Sequence, residues 1–208
     1  QLKCFYDATA NKDRTITPNS QEILKQVDGG LTITSYVNLL DKFGYLGMPS
    51  NWFNTRNIFE TFTRFKPETK LKSYYYYDNS AGMNLSREEM DKAIERLVLT
   101  SDINPKSILT PEQIDLSAEE YRYVFLIERE NGQKAFLRMF DDQGKYPSEA
   151  EISAVLKTMV AESPHIAFLS GHGERNIYDG SGVNYTSFTT VLDSRGALVN
   201  QGYTPYTL

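Results

Sequence analysis

At 208 residues, 40% of them hydrophobic and including 14 Tyr and 11 Phe, the chain is long enough to bury a sizeable core and too apolar to remain disordered. A formal net charge of −5, from 22 Lys and Arg against 27 Asp and Glu, argues against a general nucleic-acid binder, and no long run of like charge offsets that. The apolar runs span only a few residues, far short of the roughly 20 that cross a bilayer.

The chain starts on Gln1 rather than Met, so we expect that a preceding segment has been removed, and a membrane segment could have gone with it. Cys4 is the single cysteine and cannot form an internal disulfide. A lipid anchor on it is disfavoured, because Lys3 stands where such sites need a small residue. One Cys and two His make no cluster of zinc-ligand spacing, and neither a metal nor a cofactor is expected.

Leu2 to Tyr6 reads as an edge strand. Thr17 as N-cap and Pro18 at the first helical position then open a helix with Ile23, Leu24 and Val27 on one face, stopped by Asp28-Gly29-Gly30. Leu31 to Val37, β-branched and roughly alternating, reads as the first central strand. Ser50 is expected to cap a helix carrying Trp52, Ile58, Phe59, Phe62 and Phe65. Leu71 to Tyr77 is a second strand whose four consecutive tyrosines, Tyr74 to Tyr77, must point to both faces. Ordinary strand packing is favoured for them over base stacking or sugar binding.

Ser86-Arg-Glu-Glu89 is a capping box ahead of Met90, Ala93, Ile94, Leu97 and Val98. Asp102 to Leu116 reads as a connector with one helical turn started at Thr110-Pro111. Tyr121 to Glu128 and Lys134 to Phe140 form a hairpin through Asn131-Gly132, a dipeptide in which both residues tolerate positive φ. A second capping box, Ser148 to Glu151, starts a helix with Ile152, Val155, Leu156, Met159 and Val160 on one face. Apolar patterning on both faces of the strands calls for two covering layers. The order of elements over residues 16 to 160 matches a thioredoxin-like layout, without the Cys-x-x-C that thiol redox chemistry needs.

From residue 163 a new unit begins. The apolar run Ile166 to Leu169 breaks into Ser170-Gly171-His172-Gly173-Glu174, followed by a helix expected from about Tyr185 to Arg195 and a further strand from Gly202-Tyr203 to Leu208. Loops after the carboxyl ends of such strands are where ligands settle, so Gly171, His172, Gly173 and Glu174 are the candidate site. A histidine beside a carboxylate suits a general base with its orienter, or half of a metal site. No Ser or Cys nucleophile and no third ligand accompany them, and Ile177 stands where a dinucleotide loop needs its third glycine. A structural turn permitted by the glycines, a ligand-binding or partner-binding loop, and a catalytic loop therefore stay open, in that order. His165 reads as an edge residue.

Two segments resemble a known family. Asp7 to Asp28 running into Leu31-Thr-Ile-Thr-Ser-Tyr36, and His165 to Glu174 with Tyr185, Phe188, Leu192 and Gly202-Tyr203, are similar to the extracytoplasmic part of GldG-like auxiliary proteins of ABC transporters, the gliding-motility-associated family. The resemblance implies a thioredoxin-like α/β domain over 1–162. Residues 163–208 would then start a flavodoxin-like or glutamine-amidotransferase-like β-α-β domain, a partial Rossmann-like segment that the family continues beyond Leu208. It further implies a non-enzymatic module on the periplasmic face of the bacterial inner membrane, anchored by helices outside this region. Its partners would be an ABC permease and ATPase, with a related auxiliary protein as a further candidate. The family carries no catalytic residues to this chain, and Ser101 to Asp115 matches nothing in it. Two other classes stand beside this reading: an amidotransferase-like or hydrolase enzyme using the His172 loop, and a carbohydrate-binding or peptide-binding module using the tyrosine-rich strand.

Overall fold

The computed structural model describes residues 15–79, 85–178 and 182–208. The strand expected at Leu2 to Tyr6 lies outside them. In chain order the principal elements are α1 (Pro18–Gln26), β1 (Leu31–Asn38), α2 (Trp52–Phe65), β2 (Lys70–Tyr76), α3 (Arg87–Thr100), β3 (Ile108–Leu109), β4 (Val124–Arg129), β5 (Lys134–Arg138), α4 (Glu149–Thr158), β6 (His165–Phe168), α5 (Thr186–Thr189) and β7 (Thr204–Thr207).

The first five strands form one mixed sheet in the order β3-β2-β1-β4-β5. β1 runs parallel to β2 and antiparallel to β4, with Ile33 opposite both Leu71 and Ile127, so the hairpin shares the sheet of β1 as expected. β3 is a two-residue strand paired with Tyr75 and Tyr76, inside what reads in the sequence as a connector with one helical turn. Two residues are too few to show an alternation, which explains why it escapes periodicity. The hairpin turn is also longer than expected. Arg129 N–H bonds Gln133 C=O at 2.9 Å and Gly132 N–H bonds Arg129 C=O at 3.0 Å, closing a three-residue loop. Of the Asn131-Gly132 pair only Gly132 takes positive φ, the geometry of a turn with a glycine bulge.

Helix starts follow local chemistry. The Thr17 hydroxyl accepts from Ser20 N–H, while Ser86 with Glu89 and Ser148 with Glu151 close reciprocal capping boxes. Ser50 does not cap α2. Pro49–Asn51 form a 3-10 turn, and Asn51 holds the N-cap position without a capping bond, its amide donating instead to Tyr45 C=O at 2.7 Å.

One face of the sheet carries Ile33, Val37, Phe125, Ile127 and Leu137. It is buried under Ile23 and Leu24 of α1, Phe59 and Phe62 of α2, and Ile152, Leu156 and Met159 of α4. The Phe59 and Phe125 rings meet edge-on at 5.2 Å. α3 packs on the same face nearer the β3 edge, its Ile94 clustering with Leu39, Leu40 and Ile103 beside Tyr75, Tyr77 and Ile108. Residues Leu109 to Tyr121 cover part of the opposite face through Ile114 and Leu116, over Tyr76 and Val124. The expected second helical layer is therefore replaced by irregular chain. The rest of that face is furnished with Lys70, Lys72, Thr32, Glu128 and Lys134, which a solvated surface tolerates.

β6 and β7 form a separate parallel pair, with Ile166 opposite Pro205 and Phe168 opposite Thr207. The helix expected from 185 to 195 is a single turn, α5. The hydroxyls of Thr189 and Thr190 both donate to Ile177 C=O, at 3.1 and 2.7 Å, and the Asn200 amide donates to the carbonyls of Leu192 and Ser194. These side chains satisfy carbonyls that lie outside the short ladder of α5.

Candidate functional site

β6 ends at Phe168, and the chain turns outward through the predicted loop. Ser170 stays tied to the sheet: its N–H and its hydroxyl both donate to Leu208 C=O, at 3.2 and 2.9 Å. Beyond it Gly171, His172 and Gly173 all hold positive φ, +114°, +24° and +91°, and Glu174 N–H reaches back to Gly171 C=O at 3.4 Å. Glycine adopts that backbone without the Cβ clash, while His172 is strained there. All four predicted residues are exposed. The loop sits at the carboxyl ends of the parallel β6 and β7, where the sequence places it.

The side chains do not converge into a reaction centre. Among the described residues no hydrogen bond joins His172 to Glu174, and no group of three His, Cys, Asp or Glu stands close enough to hold a metal ion. Arg175 follows Glu174 in the chain, its guanidinium 5.1 Å from the Tyr185 ring centroid, and that ring leans on Phe168 at 6.2 Å. The loop is thus an outward His, Glu and Arg surface over an aromatic base, suited to polar recognition. His165 lies at the other end of β6, exposed and edge-on to Tyr206 at 6.1 Å, and is no part of the loop. The tyrosine run divides by what covers it, Tyr74 and Tyr76 sharing one face of the strand and Tyr75 and Tyr77 the other. Tyr76 is buried, Tyr75 and Tyr77 are half-buried, and only Tyr74 is exposed, stacked on Tyr36 at 5.8 Å.

A second concavity, of about 450 Å³, opens at the carboxyl ends of β2 and β3 among Tyr77, Asp78, Arg87, Met90, Asp91 and Glu112. Its residues come from three separate stretches with no shared motif. The adjacent start of α3 is closed by its own capping box, which uses the Ser86 and Glu89 N–H groups.

The best-organised polar cluster is one the sequence does not announce. Arg195 donates to Asp142 at 2.5 and 3.0 Å, to Glu151 at 2.6 Å and to Tyr146 C=O at 3.0 Å, with its guanidinium 4.3 Å over the Phe140 ring. Asp193 accepts from Lys42 and pairs with Arg122, both at 2.8 Å. Arg138 grips Glu119 at 2.6 and 2.7 Å and reaches Asn200 at 3.0 Å. The Arg195 hydrogen bonds hold the Asp142 carboxyl down at about 2. Partial burial alone would raise Asp193; the hydrogen bonds and charges of Lys42 and Arg122 outweigh it and lower that carboxyl. Every cation here has its carboxylate, so the cluster joins residues 190–201 to the first unit as a fastening.

Comparison with protein-family models, with curated proteins and with solved structures finds no match for this chain.

Proposed function

We propose that this chain is a non-enzymatic extracytoplasmic module of a GldG-like ABC-transporter auxiliary protein. In this reading it works by binding a partner or ligand through its second unit. The observation that carries it is the distribution of exposed apolar side chains. Among the described residues, Leu169, Tyr178, Val183, Tyr185, Phe188, Tyr203, Tyr206 and Leu208 are exposed in the second unit, against Tyr45, Phe53, Tyr74 and Leu99 in all the rest. Apolar surface gathered on one small region marks an interaction site.

The fold lends support at a finer level. Read as β5-β4-β1-β2 with β4 antiparallel, four strands follow a thioredoxin-like order, although the helices lie on one face and β3 is added. A parallel β6-β7 pair with a crossover between them is the opening of a flavodoxin-like sheet. On this reading the partners are an ABC permease and ATPase at the periplasmic side of the inner membrane.

The test is co-purification of the protein with its permease, for the wild type and for a His172→Ala, Glu174→Ala double variant, beside turnover of ester, amide and phosphate substrates. Weakened co-purification without turnover is the expected result. Robust turnover abolished by either substitution would overturn the reading in favour of a hydrolytic loop.

A further inference from the structure

The Asn131-Gly132 pair closes the β4-β5 hairpin, and it also carries a chemistry that the turn does not use. An asparagine carboxamide can be attacked by the main-chain nitrogen of the next residue, and glycine there leaves the approach free of any side chain. Asn131 is the one asparagine in the sequence that precedes a glycine. Both residues are exposed, and beyond the adjoining residues no atom lies within 4 Å of the place a Gly132 Cβ would take. Water therefore reaches the hairpin tip.

The tip is also tied down. Gly132 N–H donates to Arg129 C=O at 3.0 Å. The Asn131 carboxamide is held at both ends by Gln133: its Oδ1 accepts from Gln133 N–H at 3.0 Å, and its Nδ2 donates to Gln133 Oε1 at 3.0 Å. The same Oε1 accepts from Arg129 Nη1 at 2.6 Å, and Nη1 donates in turn to Met159 C=O at 2.7 Å, at the end of α4. Gln133 thus links the carboxamide to a guanidinium fixed on the helical layer. Attack requires the Gly132 nitrogen to lose the proton it holds against Arg129 C=O, and the departing Nδ2 to leave Gln133 Oε1. The reaction therefore breaks bonds of this set.

We propose that Asn131 is a self-modification site, an amide that converts to a carboxylate without an enzyme, and that Gln133 is a positioning residue that slows it by holding the tip closed. The Gly132 nitrogen gives its proton to hydroxide and attacks Asn131 Cγ. The N–Cγ bond forms and the Cγ–Nδ2 bond breaks. Nδ2 takes a proton from water and leaves as ammonia, which regenerates the hydroxide. Water then adds to either carbonyl of the resulting cyclic imide and opens it, to aspartate or to isoaspartate. Aspartate has no N–H for Gln133 Oε1, and isoaspartate lengthens the main chain inside a loop whose hydrogen bonds fit three residues. The product is a looser, more acidic tip beside the in-register pair of Glu128 and Lys134.

Peptide mapping by mass spectrometry, with isoaspartate separated from aspartate by chromatography, reads conversion at each asparagine of the full chain during warm incubation at mildly alkaline pH. In urea, where the tip is open, Asn131 is expected to convert ahead of every other asparagine. In the folded protein the same site should convert more slowly. Gln133→Ala should speed the folded protein about fivefold, the factor that one hydrogen bond of ordinary net strength is worth, and should match the wild type in urea. Gln133→Glu keeps the acceptor for Asn131 Nδ2 and Arg129, and should stay near the wild-type rate. Equal rates in buffer and in urea overturn the proposal. So does a folded Gln133→Ala that converts no faster than the wild type, or another asparagine that leads in urea. None of these readouts involves the permease, so this proposal and the assignment of function fail separately.

Discussion

The five-stranded unit and the β6-β7 unit solve the problem of burying a sheet in opposite ways. The first covers one whole face with four helices, closes part of the other with irregular chain, and blunts its edges with lysine and arginine. The second has two short strands, one helical turn and a concentration of exposed aromatic and aliphatic side chains. A two-stranded sheet of this length is marginal by itself in water. It is held instead by a belt of ion pairs and side-chain hydrogen bonds to the first unit. The contrast teaches that apolar burial dominates in one region, while the other adds polar docking to a few buried apolar side chains, Ile177, Ala197 and Leu198, so the two must respond differently to mutation, pH and salt.

The largest effect is expected in the helical layer. Leu156, 2% exposed among Ile152, Met159 and the sheet, should cost about 2–5 kcal/mol when changed to Ala, read as a midpoint shift in chemical denaturation. The same truncation at half-exposed Phe168 should cost clearly less. Equal costs would erase the contrast. Arg195→Ala comes next. It strips a partner from Glu151, whose side chain is only 4% exposed, and we expect a loss of about 2–3 kcal/mol with earlier amide exchange across 190–201 than across β1 and β4. Uniform exchange would mean that the two regions open together.

Acid should separate the regions in the same sense. The Asp142 carboxyl is depressed in the folded state to about 2, below its ordinary 3.8. Its contribution is therefore present above the unfolded value and is lost as pH falls from about 4 towards 2. Asp193 is lowered too and acts in the same direction. Because Asp142 is well exposed, salt should shrink the effect. Tryptophan fluorescence cannot follow it, since Trp52 lies in the first unit, but NMR shifts of the Ile177 and Ala197 amides can. The smallest change is expected in the loop: His172→Ala with Glu174→Ala should move stability by no more than about 0.5 kcal/mol. A loss beyond about 1 kcal/mol in thermal unfolding would show that the loop supports the fold after all.

Much of the first unit is legible in the chain. Each helix start there except that of α2 is marked by a side chain that satisfies its own first N–H groups, and the paired strands show their alternation. Asn131-Gly132 announces a hairpin and leaves the turn length open, because Gly132 alone supplies the left-handed residue. The candidate loop is legible as a place, through its glycines after an apolar run. Its lack of convergent chemistry is visible only when Arg175 is found on Tyr185 and His172 is found exposed.

Local sequence determined what a few neighbouring residues settle among themselves: the caps, the hairpin, the amphipathic stripes and the positive-φ turn at 171–173. Glu151 shows where that stops. Its place three residues after Ser148 announces a capping box, and nothing nearby announces that the same carboxylate also holds Arg195. Only the tertiary structure decided that the helices share one face, and that the helix expected over 185–195 is a single turn while Arg195 docks on Asp142 and Glu151. Each of these depends on partners far apart in the chain. Their encounter is set by the global packing of the sheet, which no short-range pattern of residues encodes.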